Sequence, residues 1–161
     1  MPRAVSLLAA LLLGATAACS AETPANLPPP LAWETSSLVV ETASGAYRFD
    51  VEIADDAAER ERGLMYRTEM AADAGMLFLY DAVVPLVMWM ENTVLPLDIV
   101  FIGPDGVVVS VAEGAVPYSR DFIRSVVPAK AVLEVNAGVA VRLGIAPGSL
   151  VRHAAFGNQA P

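Results

Sequence analysis

Apolar residues in the body of this chain come in short runs, each closed by turn-forming residues, and no run there is long enough for a sizeable helix. Tyr47, Phe49, Val51 and Ile53 alternate with Arg48, Asp50 and Glu52, which is the period of two of a half-buried strand. Leu38-Val39-Val40 precedes that strand across Ser44-Gly45 and predicts a hairpin. Met76–Tyr80, Pro85–Met90, Leu97–Ile102 and Val107–Val111 follow as further apolar runs, with Gly103-Pro104-Asp105-Gly106 as a hairpin turn. Ala129 to Val135 alternates again, and Pro147-Gly148 turns the chain into a last strand, Ser149 to Arg152. Two short helices fit between them. One runs from Ala57 to about Tyr66 under an Asp55 or Asp56 cap; the other runs from Val139 to Leu143 and stops at Gly144. The expectation is a mainly β domain of about eight strands and two short helices, a compact sandwich or closed barrel.

The ends of the chain are of a different kind. Residues 1–18 place Arg3 before the apolar stretch Ala4 to Leu13 and the small residues Ala15, Ala17 and Ala18. That is the layout of a secretory signal peptide, and it is too short for the roughly 20 apolar residues of a membrane span. Thr16-Ala17-Ala18-Cys19 resembles a bacterial lipobox, so Cys19 is the expected lipidated N-terminus of the mature protein. Ordinary cleavage after Ala17 is the alternative; it would leave a lone thiol in an oxidising compartment. Ser20, rather than Asp, follows Cys19, which by resemblance to sorted lipoproteins implies a periplasmic protein anchored in the outer membrane. Residues 19–35 hold Pro24, Pro28, Pro29 and Pro30 without periodicity, a semi-rigid tether. The domain is then expected over residues 36–152, with 153–161 as a loose tail.

Composition removes several classes of function. The 161 residues contain one Cys and one His, so neither a disulfide nor a His/Cys zinc site can form within the chain. Acidic residues outnumber basic ones 18 to 10 and no basic run exists, so no nucleic-acid partner is expected. Phosphate-loop, dinucleotide and nucleophile-elbow motifs do not occur. Met65, Met70, Met76, Met88 and Met90 could in principle serve Cu(I), but methionine in apolar strands is ordinarily core; no metal and no cofactor are expected.

The densest polar segment is Trp89-Met90-Glu91-Asn92-Thr93-Val94-Leu95-Pro96-Leu97-Asp98, a Pro-containing turn between strands. Such a turn, carried by rigid strands, is a common place for a site. It is equally the place where Asn92, Thr93 and Asp98 would hold backbone and Trp89 would fill a core. Between these readings, Asn92 is assigned to the scaffold and Asp98 to function, so Asn92→Ala is expected to destabilise more than Asp98→Asn. Gly63-Leu64-Met65-Tyr66-Arg67 reads as a helix end, with Arg67 alone able to hold an anion. Asp98, Glu113 and Glu134 interrupt apolar contexts and are the candidates for general acid/base work. A pair about 5–10 Å apart would suit glycoside cleavage, although a lone Glu in a strand is ordinarily on its solvent face.

Several further pieces, in order, make the chain similar to the bacterial and archaeal family DUF192. They are Val51-Glu52-Ile53-Ala54-Asp55, Glu59 through Arg67, Asp73-Ala74-Gly75-Met76-Leu77-Phe78, Trp89 through Thr93 with Pro96-Leu97-Asp98-Ile99, Val116-Pro117-Tyr118-Ser119, Pro128-Ala129, Val132 through Gly138, and Gly144 through Gly148. The likeness runs from about Leu38 to Val151. Glu91 stands where that family usually carries Lys, and Met88 where an aromatic is common. The resemblance implies a β-rich sandwich or barrel with short helices, and brings no established reaction, substrate or cofactor. It marks Trp89, Asn92, Thr93 and Asp98 as a candidate ligand site, with Arg67, Tyr118, Glu134 and Asn136 as neighbours. The resulting expectation is an exported, lipid-anchored protein whose partners are the membrane and a small ligand or another envelope protein. The alternatives are a carboxylate-based, hydrolase-like enzyme and a purely structural lipoprotein.

Overall fold

The structure is a computed structural model that describes residues 31–159; the expected signal peptide, Cys19 and most of the expected tether lie outside the described residues. Nine strands and two short helices are formed there, so the mainly β expectation holds. β1 (Glu34–Thr42) and β2 (Gly45–Ala54) are the hairpin read at Ser44-Gly45, with Phe49, Val51 and Ile53 buried and Arg48 and Asp50 exposed. α1 (Ala57–Arg62) starts at a capping box: the Glu59 N–H donates to the Asp56 carboxylate at 2.8 Å, and the Glu59 carboxylate accepts from the Asp56 N–H. It ends at Arg62, capped by Gly63 and four residues before the expected end, and carries the chain over to β3 (Ala74–Val84). β3 lies parallel to β2, an arrangement that needs a crossover rather than a hairpin.

β4 (Val87–Met88), β5 (Leu97–Ile102), β6 (Val108–Ala115), β7 (Ile123–Arg124), β8 (Ala129–Asn136), α2 (Val139–Leu143) and β9 (Leu150–Arg152) follow. Seven strands make one sheet in the order β6-β5-β8-β3-β2-β1-β9, and β4 and β7 pair separately. The large sheet curls until its edges touch. Val107 bridges Leu150, the Val108 N–H donates to Ser149 O at 2.8 Å, and the Val151 N–H donates to Gly106 O at 2.8 Å. Closing the edge in this way removes unpaired backbone groups at that end. The result is a half-barrel with a stitched seam rather than two stacked sheets.

Two cores lie on the two sides of this sheet. Inside the curl are Leu38, Val40, Phe49, Val51, Leu77, Val100, Leu133, Val135 and Val151. On the outer face are Met76, Phe78, Leu97, Ile99, Phe101 and Val132, covered by Leu64, Leu86, Met88, Met90 and Leu95. β8 is therefore buried on both faces between β3 and β5, as central strands are, and not half-solvated as its alternation suggests. The segment after Arg152 departs from the loose tail expected of it. His153 is buried and its Nε2 lies 2.9 Å from Ser36 Oγ, Ala154–Phe156 form a 3-10 turn, and the Asn158 amide donates to Asp105 O and Val151 O at 3.0 Å. A polar side chain that reaches back to the seam is invisible to hydrophobic patterning.

Candidate functional site

Strand geometry decides where the acids go. Leu97, Ile99 and Phe101 face the outer core and Val100 and Ile102 the interior, so Asp98 points inward. On β8, Leu133 and Val135 point inward and Glu134 outward with Val132. Ile99 pairs with Glu134 and Asp98 with Val135, which puts the two carboxylates on opposite faces of the sheet. Asp98 is fully buried and spends both oxygens on backbone: Gly114 N–H donates to Oδ1 at 2.9 Å and Ala140 N–H to Oδ2 at 2.8 Å. Those bonds cap α2 and pin β6, so the assignment of Asp98 to function is corrected: it is scaffold. Glu113 is exposed.

Glu134 is the opposite case. It is 4% exposed, lies between Met76 on β3 and Ile99 on β5, and accepts no hydrogen bond from any described residue. Burial pushes its carboxyl up to about 8, because low-dielectric surroundings penalise the charged form. It opens on a small recess of about 20 Å³ whose wall includes Arg60, Arg62, Gly63, Phe78, Trp89 and Thr93. Gly63 makes room for the floor: its φ of 44° suits glycine, and a Cβ there would meet the Phe78 ring at 3.1 Å. Beside the recess, sharing Glu61, Arg62, Met65 and Trp89 with it, lies an open groove of about 410 Å³ bordered also by Ala58, Tyr66, Glu91 and Asn92. Trp89 projects away from buried Met88 and Met90, is 41% exposed, and sits 6.5 Å from Phe122, ring centre to ring centre. Tyr80, beneath Arg60, hydrogen-bonds Met88 Sδ; burial raises its phenol, Arg60 opposes that and Glu134 adds to it.

The rim is held in an uncommon backbone state. Tyr66, Asn92 and Tyr118 are the three non-glycine residues with positive φ among the described residues, at 65°, 54° and 61°. All three belong to one set of crossed loops. The Tyr66 N–H donates to Asn92 O at 2.9 Å, the Tyr118 N–H to Thr93 O at 3.1 Å, and the Met90 N–H to Ser119 O at 3.0 Å. Left-handed backbone at non-glycine residues costs free energy and gathers at functional sites.

Of the residues singled out from sequence, the fold brings Trp89, Asn92, Thr93 and Glu134 together. Asn92 contributes mainly backbone; among the described residues its amide donates only to Met65 Sδ, at 3.9 Å. Thr93 is buried, with Oγ1 donating to Glu91 O at 3.3 Å. Three residues are used elsewhere. Arg67 pairs with Glu52 and lies over Trp33, the Asn136 amide donates to Met70 O and Ala71 O, and Tyr118 serves as a turn. The residues missed are those of the α1 end, which sequence alone presents as an ordinary helix stop followed by core residues. The one available sign was their density, Gly63-Leu64-Met65-Tyr66.

Fold and recess together define a curled, seam-closed β domain with a loop-built recess on the outer face of its sheet. This chain belongs to the DUF192 family, described as "Uncharacterized ACR", whose profile matches residues 39–153. A crystal structure from Sinorhizobium meliloti 1021, described as a candidate transcription regulator, is similar with a TM-score of 0.76 and 44% identity, covering 79% of this chain and 99% of that one. A protein of unknown function from Novosphingobium aromaticivorans DSM 12444 is similar with a TM-score of 0.75 and 38% identity, covering 87% and 100%. No curated protein matches the chain.

Proposed function

We propose that this chain is an exported protein, held on a membrane surface by a lipidated Cys19 in the periplasm of a Gram-negative host, and that its domain binds a small ligand in the recess between Glu134 and Trp89. One observation carries the binding reading: a carboxyl only 4% exposed, on an apolar strand face, that accepts no hydrogen bond from a described residue and borders a concavity also lined by Arg60 and Arg62. A group left in that state costs stability, and binding sites are where such a cost is retained. The strained rim and the exposed Trp89 support the same reading. A two-carboxylate hydrolase is disfavoured, since Asp98 and Glu134 lie on opposite faces, and the recess itself disfavours a purely structural lipoprotein. The description of the Sinorhizobium relative is not carried over, because a net charge of −8 opposes contact with phosphate backbones.

The binding reading is tested by a thermal-shift screen of envelope metabolites on the wild type and on Trp89→Ala. At least one compound is expected to raise Tm in the wild type and to lose that effect in the variant; shifts that survive Trp89→Ala would place binding elsewhere. Anchoring is tested by fractionation. Cys19→Ser is expected to move the protein to the soluble fraction, because an acidic domain on a peptide tether has no other membrane affinity, and unchanged membrane fractionation would refute lipidation.

A further inference from the structure

We propose that the ligand is a primary aliphatic amine, its ammonium head in the inner recess against Glu134 and Thr93 and its alkyl stem along the groove beside Trp89. This rests on the binding reading above and adds the chemical class. Size comes first: a chamber of about 20 Å³ admits about one water-sized group. An ammonium has that size, whereas a trimethylammonium does not fit and a guanidinium is too broad. Hydrogen bonding comes second. An ammonium offers three donors and no acceptor, and the chamber presents acceptors, the two Glu134 oxygens and the Thr93 hydroxyl oxygen, whose own proton is committed to Glu91 O. Charge comes third. The Arg60 guanidinium is engaged by Asp55 O, Leu79 O and the Tyr80 ring, Arg62 lies over the Tyr66 ring, and Glu91 pairs with Arg120. Glu61, at the rim of both recess and groove, makes no ion pair among the described residues. Burial raises the Glu134 carboxyl, and no ion pair joins it to a cation among the described residues. An arriving ammonium would supply the missing charge, and the face of Trp89 favours a cation and its stem.

Binding then exchanges one proton. Glu134 gives up its proton to solvent as the ammonium arrives, and the ion pair replaces a neutral acid. Below about pH 8 the affinity must therefore rise as the ionised fraction rises, about tenfold per pH unit.

The test titrates the full chain, in a non-ionic detergent, with n-butylamine, n-butanol and tetramethylammonium at pH 6, 7 and 8, by calorimetry in two buffers of different ionisation enthalpy. The expected result is binding of n-butylamine alone, strengthening about tenfold from pH 6 to pH 7 with release of close to one proton. Glu134→Gln is expected to weaken it at least tenfold and to abolish the pH slope. Equal binding of n-butanol, a flat pH profile in the wild type, or an unaffected Glu134→Gln would each overturn the amine assignment. If n-butylamine fails while some screened compound still depends on Trp89, the amine class falls and the recess stands. If nothing depends on Trp89, both fall. Cadaverine and an Nα-acetyl-lysine peptide then separate free amines from protein lysines: tighter cadaverine assigns a soluble amine, tighter peptide a partner's side chain.

Discussion

Asp98 and Glu134 look alike in sequence, each an acid inside an apolar run, yet one residue of register sends them to opposite faces of the same sheet. Asp98 is satisfied twice by backbone N–H groups; Glu134 is satisfied by none among the described residues. Nothing in the local sequence distinguishes the two, because what covers each face comes from distant loops. The polar turn around Trp89 was legible as a candidate site, and Glu134 as a candidate residue; that they meet was not. The expected order of mutational effects is accordingly reversed. Asp98→Asn offers a donor where two N–H groups need acceptors, and should cost about 2–4 kcal/mol, since charge-assisted bonds are lost and a buried donor is stranded. Asn92 sits at φ 54°, so Asn92→Ala should cost about 1 kcal/mol through the left-handed backbone alone, and Asn92→Gly should be neutral or slightly stabilising. Urea melts of the three variants decide this; an Asn92→Gly as damaging as Asp98→Asn would mean that the amide, not the backbone, matters.

At the scale of elements, β2, the turn at Gly103–Gly106, the Asp56 cap and α2 were all legible, because each is written in local pattern. β4 and β7 were not, being two-residue ladders drawn from loops, and Pro85–Met90 read as a longer strand than it forms. The parallel β2–β3 pairing and the seam were also hidden, since both depend on contacts remote in sequence. The seam is the more telling. Gly106 combines φ 85° with a Cβ position 2.4 Å from both Val151 O and Asn158 Nδ2, whereas Gly114 has φ 61° and open space around it. The same substitution therefore separates strain from closure. Gly114→Ala should cost about 1 kcal/mol, the left-handed penalty. Gly106→Ala must also displace β9 and the Asn158 clasp and should cost about 3 kcal/mol or more, in the range set by steric overlap in packed regions. Equal Tm losses in the two variants would show that the seam does not contribute to stability.

At the scale of the molecule, Glu134 and His153, both buried, have opposing effects on stability. Glu134 is held at about 8 against an ordinary 4.5. Between those values the folded chain binds a proton that the unfolded chain releases, so stability falls as pH rises across the window, by up to about 1.4 kcal/mol per pH unit. His153 is lowered from 6.5 by burial, and its Nδ1 accepts from the Ala155 N–H, a bond only the unprotonated nitrogen can take. Below about 6.5 the unfolded chain therefore binds more protons and stability falls with falling pH, in the direction also favoured by Glu41, whose carboxyl is lowered chiefly by its bond to Arg152. Stability should consequently peak on the acid side of neutrality and decline toward pH 8. Urea melts from pH 5 to 8 should show Glu134→Gln losing most of the decline above pH 6 while keeping the acid limb. A wild-type curve flat between pH 6 and 8, or a variant curve parallel to it, would mean that Glu134 is ionised in the fold. The proton behind that alkaline decline is the one an amine would displace. The decline should therefore shrink in n-butylamine and not in n-butanol, because only a bound cation stabilises the ionised form of a carboxyl that the fold otherwise keeps neutral.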